Sequence, residues 1–151
     1  DRVGIKTATP LAALHVTGDT FFGGNVREKV TISATASTGT INFDVVTQSV
    51  LYYTSNASGN FTINVRGDGS TALNSIMATG DSLTIAFLST QGSSAYYMNA
   101  FTVDGSSVTP KYQGGSAFSA GNASGIDSYA ITVIKTGDAA FTALAAQTQF
   151  G

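Results

Sequence analysis

Phe61-Thr62-Ile63-Asn64-Val65-Arg66 is the stretch on which the reading of the fold turns. Phe61, Ile63 and Val65 alternate with Thr62 and Asn64, a period of two that sets three large apolar side chains on one face of an extended strand. Aromatic and β-branched residues suit that pleated geometry. Ser55 to Asn60 on one side and Gly67 to Ser70 on the other are turn formers, so the strand is bounded at both ends.

The same pattern recurs along the chain. Val30, Ile32 and Ala34 alternate with Lys29, Thr31 and Ser33, and Ile41, Phe43 and Val45 alternate with Asn42 and Asp44. Val50-Leu51-Tyr52-Tyr53 is a mostly apolar run. Leu83, Ile85 and Phe87 form a further strand, and Tyr96, Met98, Ala100 and Thr102 oppose Tyr97, Phe101 and Val103. Asp104-Gly105 is a hairpin signal leading into Ser107–Tyr112. After a loop rich in Gly, Ser, Ala and Asn from Gln113 to Gly125, Tyr129, Ile131, Val133 and then Phe141, Ala143, Ala145 supply two strands around a turn at Lys135–Asp138. Ala72–Met77 reads as one helical turn, and alanine-rich Ala140–Gln147 would also suit a helix. About eight or nine strands at regular spacing, with no long helix, predict an all-β fold: an antiparallel β-sandwich, jelly-roll-like.

The first 26 residues stand apart. Val3 and Ile5 alternate with Arg2, Gly4 and Lys6; after Thr9-Pro10, Ala12, Leu14 and Val16 alternate with Ala13, His15 and Thr17. Two such short strands cannot enclose their own apolar side, which must be covered by the body, a neighbouring unit or copies of itself. The expected organisation is a linker and joint over 1–26, ending in Phe21-Phe22-Gly23-Gly24-Asn25, and a sandwich over 27–151. The start Asp1-Arg2-Val3 resembles neither an initiator nor a signal peptide and suggests a piece of a longer chain.

Composition narrows the function. The chain has 151 residues, 42% of them hydrophobic and only 11% charged, with a net charge of −2. Gly, Ser, Thr, Ala and Asn take the place of charge, as in extracellular and virion β-proteins. Nothing basic attracts nucleic acid, and no run is long enough to span a bilayer. Without cysteine there is no disulfide or thiolate metal site, and the lone histidine, His15, is too few for a zinc site, which takes three or four ligands. No cofactor is expected.

Catalytic signatures are equally sparse. No Gly-x-Ser-x-Gly elbow occurs, and no Asp-x-Asp-x-Asp-Gly calcium loop. A glycosidase needs two carboxylates across a groove, but apart from Glu28 the acids are aspartates, mostly at turns: Asp19, Asp68, Asp81, Asp104, Asp127 and Asp138. Aspartate belongs there because it bonds the backbone two residues on. Arg66-Gly67-Asp68 spells an adhesive tripeptide, yet Gly and Asp are also what a tight turn uses. The Asn-x-Ser/Thr sites at Asn56, Asn60 and Asn122 likewise read as turn chemistry. No catalytic residue is assigned. Paired tyrosines on a strand, Tyr52-Tyr53 and Tyr96-Tyr97, point one in and one out, which nominates Tyr53 and Tyr97 for surface contact, with Tyr112 as a further aromatic candidate.

The opening segment, Arg2-Val3-Gly4-Ile5-Lys6-Thr7 with Pro10, Ala12, Leu14-His15-Val16 and Gly18-Asp19, resembles a linker repeat of bacteriophage fibres. It departs at Lys6, where glycine is common. The body is similar to a domain of cyanophage virion structural proteins, through Lys29-Val30-Thr31-Ile32-Ser33, Gly39–Asp44, Thr47–Ala57, Phe61–Gly67, Asp104–Pro110 and Ile126–Tyr129. The resemblance implies a virion location, on a tail fibre or the capsid surface, and a structural role without enzymatic activity. It implies a homotrimer, contacts with other virion proteins and contact with host-surface glycan. A tail-fibre subunit is the leading expectation, with Val3, Ile5, Leu14 and Val16 as the assembly face. A capsid decoration or capsid-fibre protein is the alternative, and a glycan depolymerase a third.

Overall fold

The computed structural model describes residues 1–151 as an all-β chain. Its strands are β1 (Val3–Ile5), β2 (Leu14–Val16), β3 (Val30–Ala36), β4 (Gly39–Asp44), β5 (Val50–Ser55), β6 (Phe61–Arg66), β7 (Ser82–Thr90), β8 (Met98–Val103), β9 (Ser106–Ser107), β10 (Lys111–Tyr112), β11 (Ile126–Gly137) and β12 (Ala140–Phe150), with one helical turn, α1 (Leu73–Ile76), between β6 and β7. Three sheets form: β1-β2, a six-stranded sheet in the order β10-β12-β11-β7-β5-β3, and a four-stranded sheet in the order β4-β6-β8-β9.

The winding corrects the antiparallel jelly-roll expectation. From β3 to β8 successive strands alternate between the two larger sheets, and within each sheet they are neighbours in chain order and parallel. Each pair, β3-β4, β5-β6 and β7-β8, is one rung of a flattened parallel roll. Antiparallel pairing is confined to β7-β11, β11-β12 and β8-β9, which close the far end. Alternating hydrophobicity gives the face of a strand but not its neighbour's direction, because both ladder types share the period of two.

Backbone pairing continues around one corner of the roll: Ser58 N–H donates to Ser37 O at 3.0 Å and Ala57 N–H to Thr90 O at 2.8 Å. Ser37 and Ser89 are wholly buried there and bond each other through their hydroxyls at 2.7 Å. At the other corner α1 is clamped at both ends. Asp104 accepts from the N–H groups of Leu73 and Asn74 at 2.7 and 2.9 Å, and Lys135 Nζ donates to the carbonyls of Asn74 and Met77 at 2.6 and 2.9 Å. The predicted hairpin at Asp104-Gly105 is present, with positive φ at both residues (50° and 80°) as a type I′ turn requires.

Both sheets line one core. Phe43, Phe61, Ile63 and Val65 face Phe87, Tyr129, Ile131 and Val133 across it. Phe61 meets Phe87 and Tyr129 edge to face, with ring centroids 5.5 and 5.6 Å apart. The inward positions of β12 are Phe141, Ala143 and Ala145, so the alanine-rich segment is a strand. Ala143 and Ala145 lie in the core beside their larger partners Val133 and Ile131 of β11, and eleven residues of pairing override a weak helical preference. In β8, Met98 and Phe101 are both buried although three positions apart, because a register shift against β6 inserts an extra residue. In β3 the apolar set Val30 and Ile32 faces solvent, with Ile32 68% exposed, while Thr31 and Ser33 face inward.

Candidate functional site

β1 and β2 pair in parallel, Val3 with Leu14, Gly4 with His15 and Ile5 with Val16. Paired residues of a ladder point to the same side, so Val3, Ile5, Leu14 and Val16 share one face. All four residues nominated from sequence are thus brought together. Val3, Ile5 and Leu14 are 58%, 49% and 56% exposed, and Val16 is half-buried. The body leaves this face open.

The other face of the unit is built from its own short crossover. Parallel strands ordinarily need a dozen or more residues between them; here residues 6–13 suffice. Arg2 Nη1 donates to Pro10 O at 2.9 Å and Val3 N–H to Ala13 O at 2.7 Å, and Thr17 N–H donates to Ile5 O at 3.0 Å. A side chain at Gly4 would collide with the Thr7 carbonyl and stand 2.9 Å from Pro10 Cγ, so glycine lets the crossover lie against the strand. His15 Nδ1 accepts from Leu11 N–H at 3.3 Å, which ties the histidine to the crossover.

Lys6 has φ +57°, a left-handed conformation that glycine adopts without steric penalty. Lys6→Gly is therefore expected to steady the unit by about 0.5–1 kcal/mol. Amide exchange of Val3 and Thr17 is the readout. Roughly two- to fivefold slower exchange follows from that figure, and unchanged exchange would show that the strain is absent.

No hydrogen bond joins residues 1–26 to the rest of the chain. Phe21 and Phe22 of the joint are exposed, Phe21 by 92%.

The tyrosines nominated for surface contact do not form a platform. Tyr53 faces inward and packs edge to face on Phe87 at 5.3 Å, and burial pushes its phenol pKa up. Tyr112 packs on Phe118 at 4.9 Å at the core margin. Tyr97 is half-buried, its N–H donating to Asn60 Oδ1 at 3.2 Å. On β5 it is Tyr52 that faces outward, its hydroxyl accepting from Thr90 at 3.3 Å. A Tyr-Tyr pair announces one ring out without saying which; the flanking Leu51, inward like Tyr53, was the available signal.

Arg66-Gly67-Asp68 is taken up by structure. Arg66 Nε donates to Asp44 Oδ1 at 2.6 Å, Gly67 is buried, and Asp68 Oδ1 accepts from Ser70 and Thr71 N–H, each at 2.7 Å. Asp68 and Asp104 line one polar cleft of about 340 Å³ beside Arg66. The Ser70 bond leads a set of donors that hold Asp68 below the ordinary carboxylate range. A glycosidase acid requires the opposite shift. Both Asp104 oxygens are occupied by α1. Nowhere do three or more His, Asp or Glu side chains converge as a metal site would need. No protein-family model, curated protein or solved structure matches the chain.

Proposed function

We propose that the protein is a structural subunit of a phage virion, of tail-fibre type, that self-associates through Val3, Ile5, Leu14 and Val16 into a homotrimer and strings its β body on a fibre with other virion proteins. One observation carries this reading: a two-stranded unit, closed on one side by its own crossover, leaves Val3, Ile5 and Leu14 exposed together on the other, with half-buried Val16 beside them. A two-stranded sheet is marginal alone in water and needs a further layer. A second supporting point is the linker-repeat resemblance over the same residues.

Leu14→Asp tests it. An aspartate is tolerated on a free surface but not in an apolar contact between copies, where its charge would be buried unpaired. Sedimentation of the full chain at micromolar concentration is expected to give trimer for the parent. The variant is expected to dissociate at a concentration at least about tenfold higher, equivalent to about 1.4 kcal/mol. Denaturant unfolding of the body is expected to stay the same, since no hydrogen bond links it to the linker. Equal loss of assembly and of body stability would instead make the segment part of the core.

A further inference from the structure

The outer faces of the two large sheets differ in kind. On the four-stranded sheet the outward side chains bond one another: Asn64 Nδ2 to Asn42 at 2.8 Å, Thr102 Oγ1 to Asn64 at 2.7 Å, and Arg66 to Asp44. That is a face organised for water. On the six-stranded sheet the outward positions are apolar or carry hydroxyls, and only Lys111 on the edge strand β10 is charged. Even the hydroxyls pair within the face, as Thr84 does with Thr132 at 2.8 Å.

The face also has relief. At the β3 edge Ile32 stands 68% exposed beside Val30. Toward the other edge Ala86, Ala130 and Ala146 lie abreast on β7, β11 and β12. A shallow groove of about 430 Å³ begins at Ala130 and Ala146 and is walled by Leu144 and Lys111. A ridge and a groove on one face, at separate places, match a head-to-tail contact between copies, which closes into a ring when the rotation permits.

We propose that the outer face of the six-stranded sheet is a second interface between copies of this chain, with Ile32 of one copy seated in the Ala130–Ala146 groove of the next. Strand spacing and rise give this face roughly 650 Å². In a head-to-tail ring the ridge meets one neighbour and the groove the other, so each contact takes about half of this area, below the ~800 Å² per partner of a stable interface, and adds to the linker contact rather than standing alone. A copy is the occupant that the chemistry fits. Two such faces meet without burying an unpaired charge, whereas an anionic surface would call for more cations than Lys111, and a glycan for more outward aromatics than Tyr52 and Phe150, which stand at separate places on the face. This inference rests on the proposed self-association and adds the place where the bodies meet.

The absence of cysteine makes a direct test available. Within one molecule Ile32 and Ala130 lie three strands apart, about 14 Å, beyond the reach of a disulfide. The full-length Ile32→Cys/Ala130→Cys double variant is expected to give, on mild oxidation, a covalent ladder ending at trimer. Asn42→Cys/Asn99→Cys on the polar face is expected to give none. Ile32→Asp is expected to raise the dissociation concentration at least tenfold without altering unfolding of the body. A parent oligomer that yields no ladder and ignores Ile32→Asp, yet falls apart with Leu14→Asp, overturns this interface and leaves the linker assembly standing. A monomeric parent overturns both.

Discussion

Tyr129→Ala is expected to lower the stability of the body by about 4 kcal/mol, the range for removing a large aromatic from a packed core. Tyr129 is wholly buried where both sheets and the loop before β11 meet, against Phe61, Phe87 and Phe118. Its hydroxyl accepts from Met98 N–H at 3.3 Å and from Gln147 Nε2 at 3.2 Å. Burial, the main cause, pushes the phenol pKa upward, so the ring stays neutral. Tyr129→Phe keeps the packing but strands those two donors, which costs about 1–2 kcal/mol. Denaturant unfolding separates the cases. A phenylalanine variant as damaged as the alanine one would mean that the hydroxyl, not the ring, holds this region.

The second large effect is at Asp127, which is wholly buried at the end of the roll. Its carboxylate accepts from Gln91 Nε2 at 2.9 Å and from Asn122 N–H at 3.1 and 3.2 Å. Gln91 also bridges to Tyr96, donating to its carbonyl and accepting from its N–H. Asp127→Ala leaves donors without an acceptor and is expected to cost about 2–3 kcal/mol. Asp127→Asn keeps one acceptor oxygen and is expected to stay within about 1 kcal/mol of the parent at neutral pH.

The two forms differ in pH dependence. Burial raises the Asp127 carboxyl pKa against the pull of hydrogen bonds from Asn122, Gln147 and Gln91. A carboxyl raised on folding binds its proton more tightly in the folded state. Its contribution is therefore fully present below the ordinary carboxylate value and is lost as pH rises through the raised one. Asp127→Asn removes that slope, so its stability relative to the parent is expected to improve with pH across this window. Unfolding curves at several acidic pH values measure it, and parallel profiles would show that Asp127 does not titrate as its burial requires.

Strand identity was largely legible in the sequence because a period of two needs only local side-chain alternation. Phe61–Val65, Tyr129–Val133 and Phe141–Ala145 each present the face that the pattern implies. Pairing direction was not legible, since it depends on which corner the connection turns. β3 misleads for a physical reason. Val30 and Ile32 have the alternation of a core face, but register with Val50 and Tyr52 fixes them outward. That inversion marks an apolar surface rather than a weak strand. Of the candidate site, the linker face was legible residue by residue. The left-handed backbone at Lys6 was not, because a positive φ leaves no trace when lysine occupies it. The near-absence of charge on the outer sheet face was present in the outward half of each strand, and emerged only once the strands were set side by side.

The most direct measurement is the mass in solution of the full chain and of Leu14→Asp, by sedimentation equilibrium across micromolar concentrations. A trimeric parent and a variant shifted toward monomer with unchanged unfolding of the body is the expected result. A parent that stays monomeric throughout, or a trimer indifferent to aspartate at position 14, would contradict assembly through the linker face.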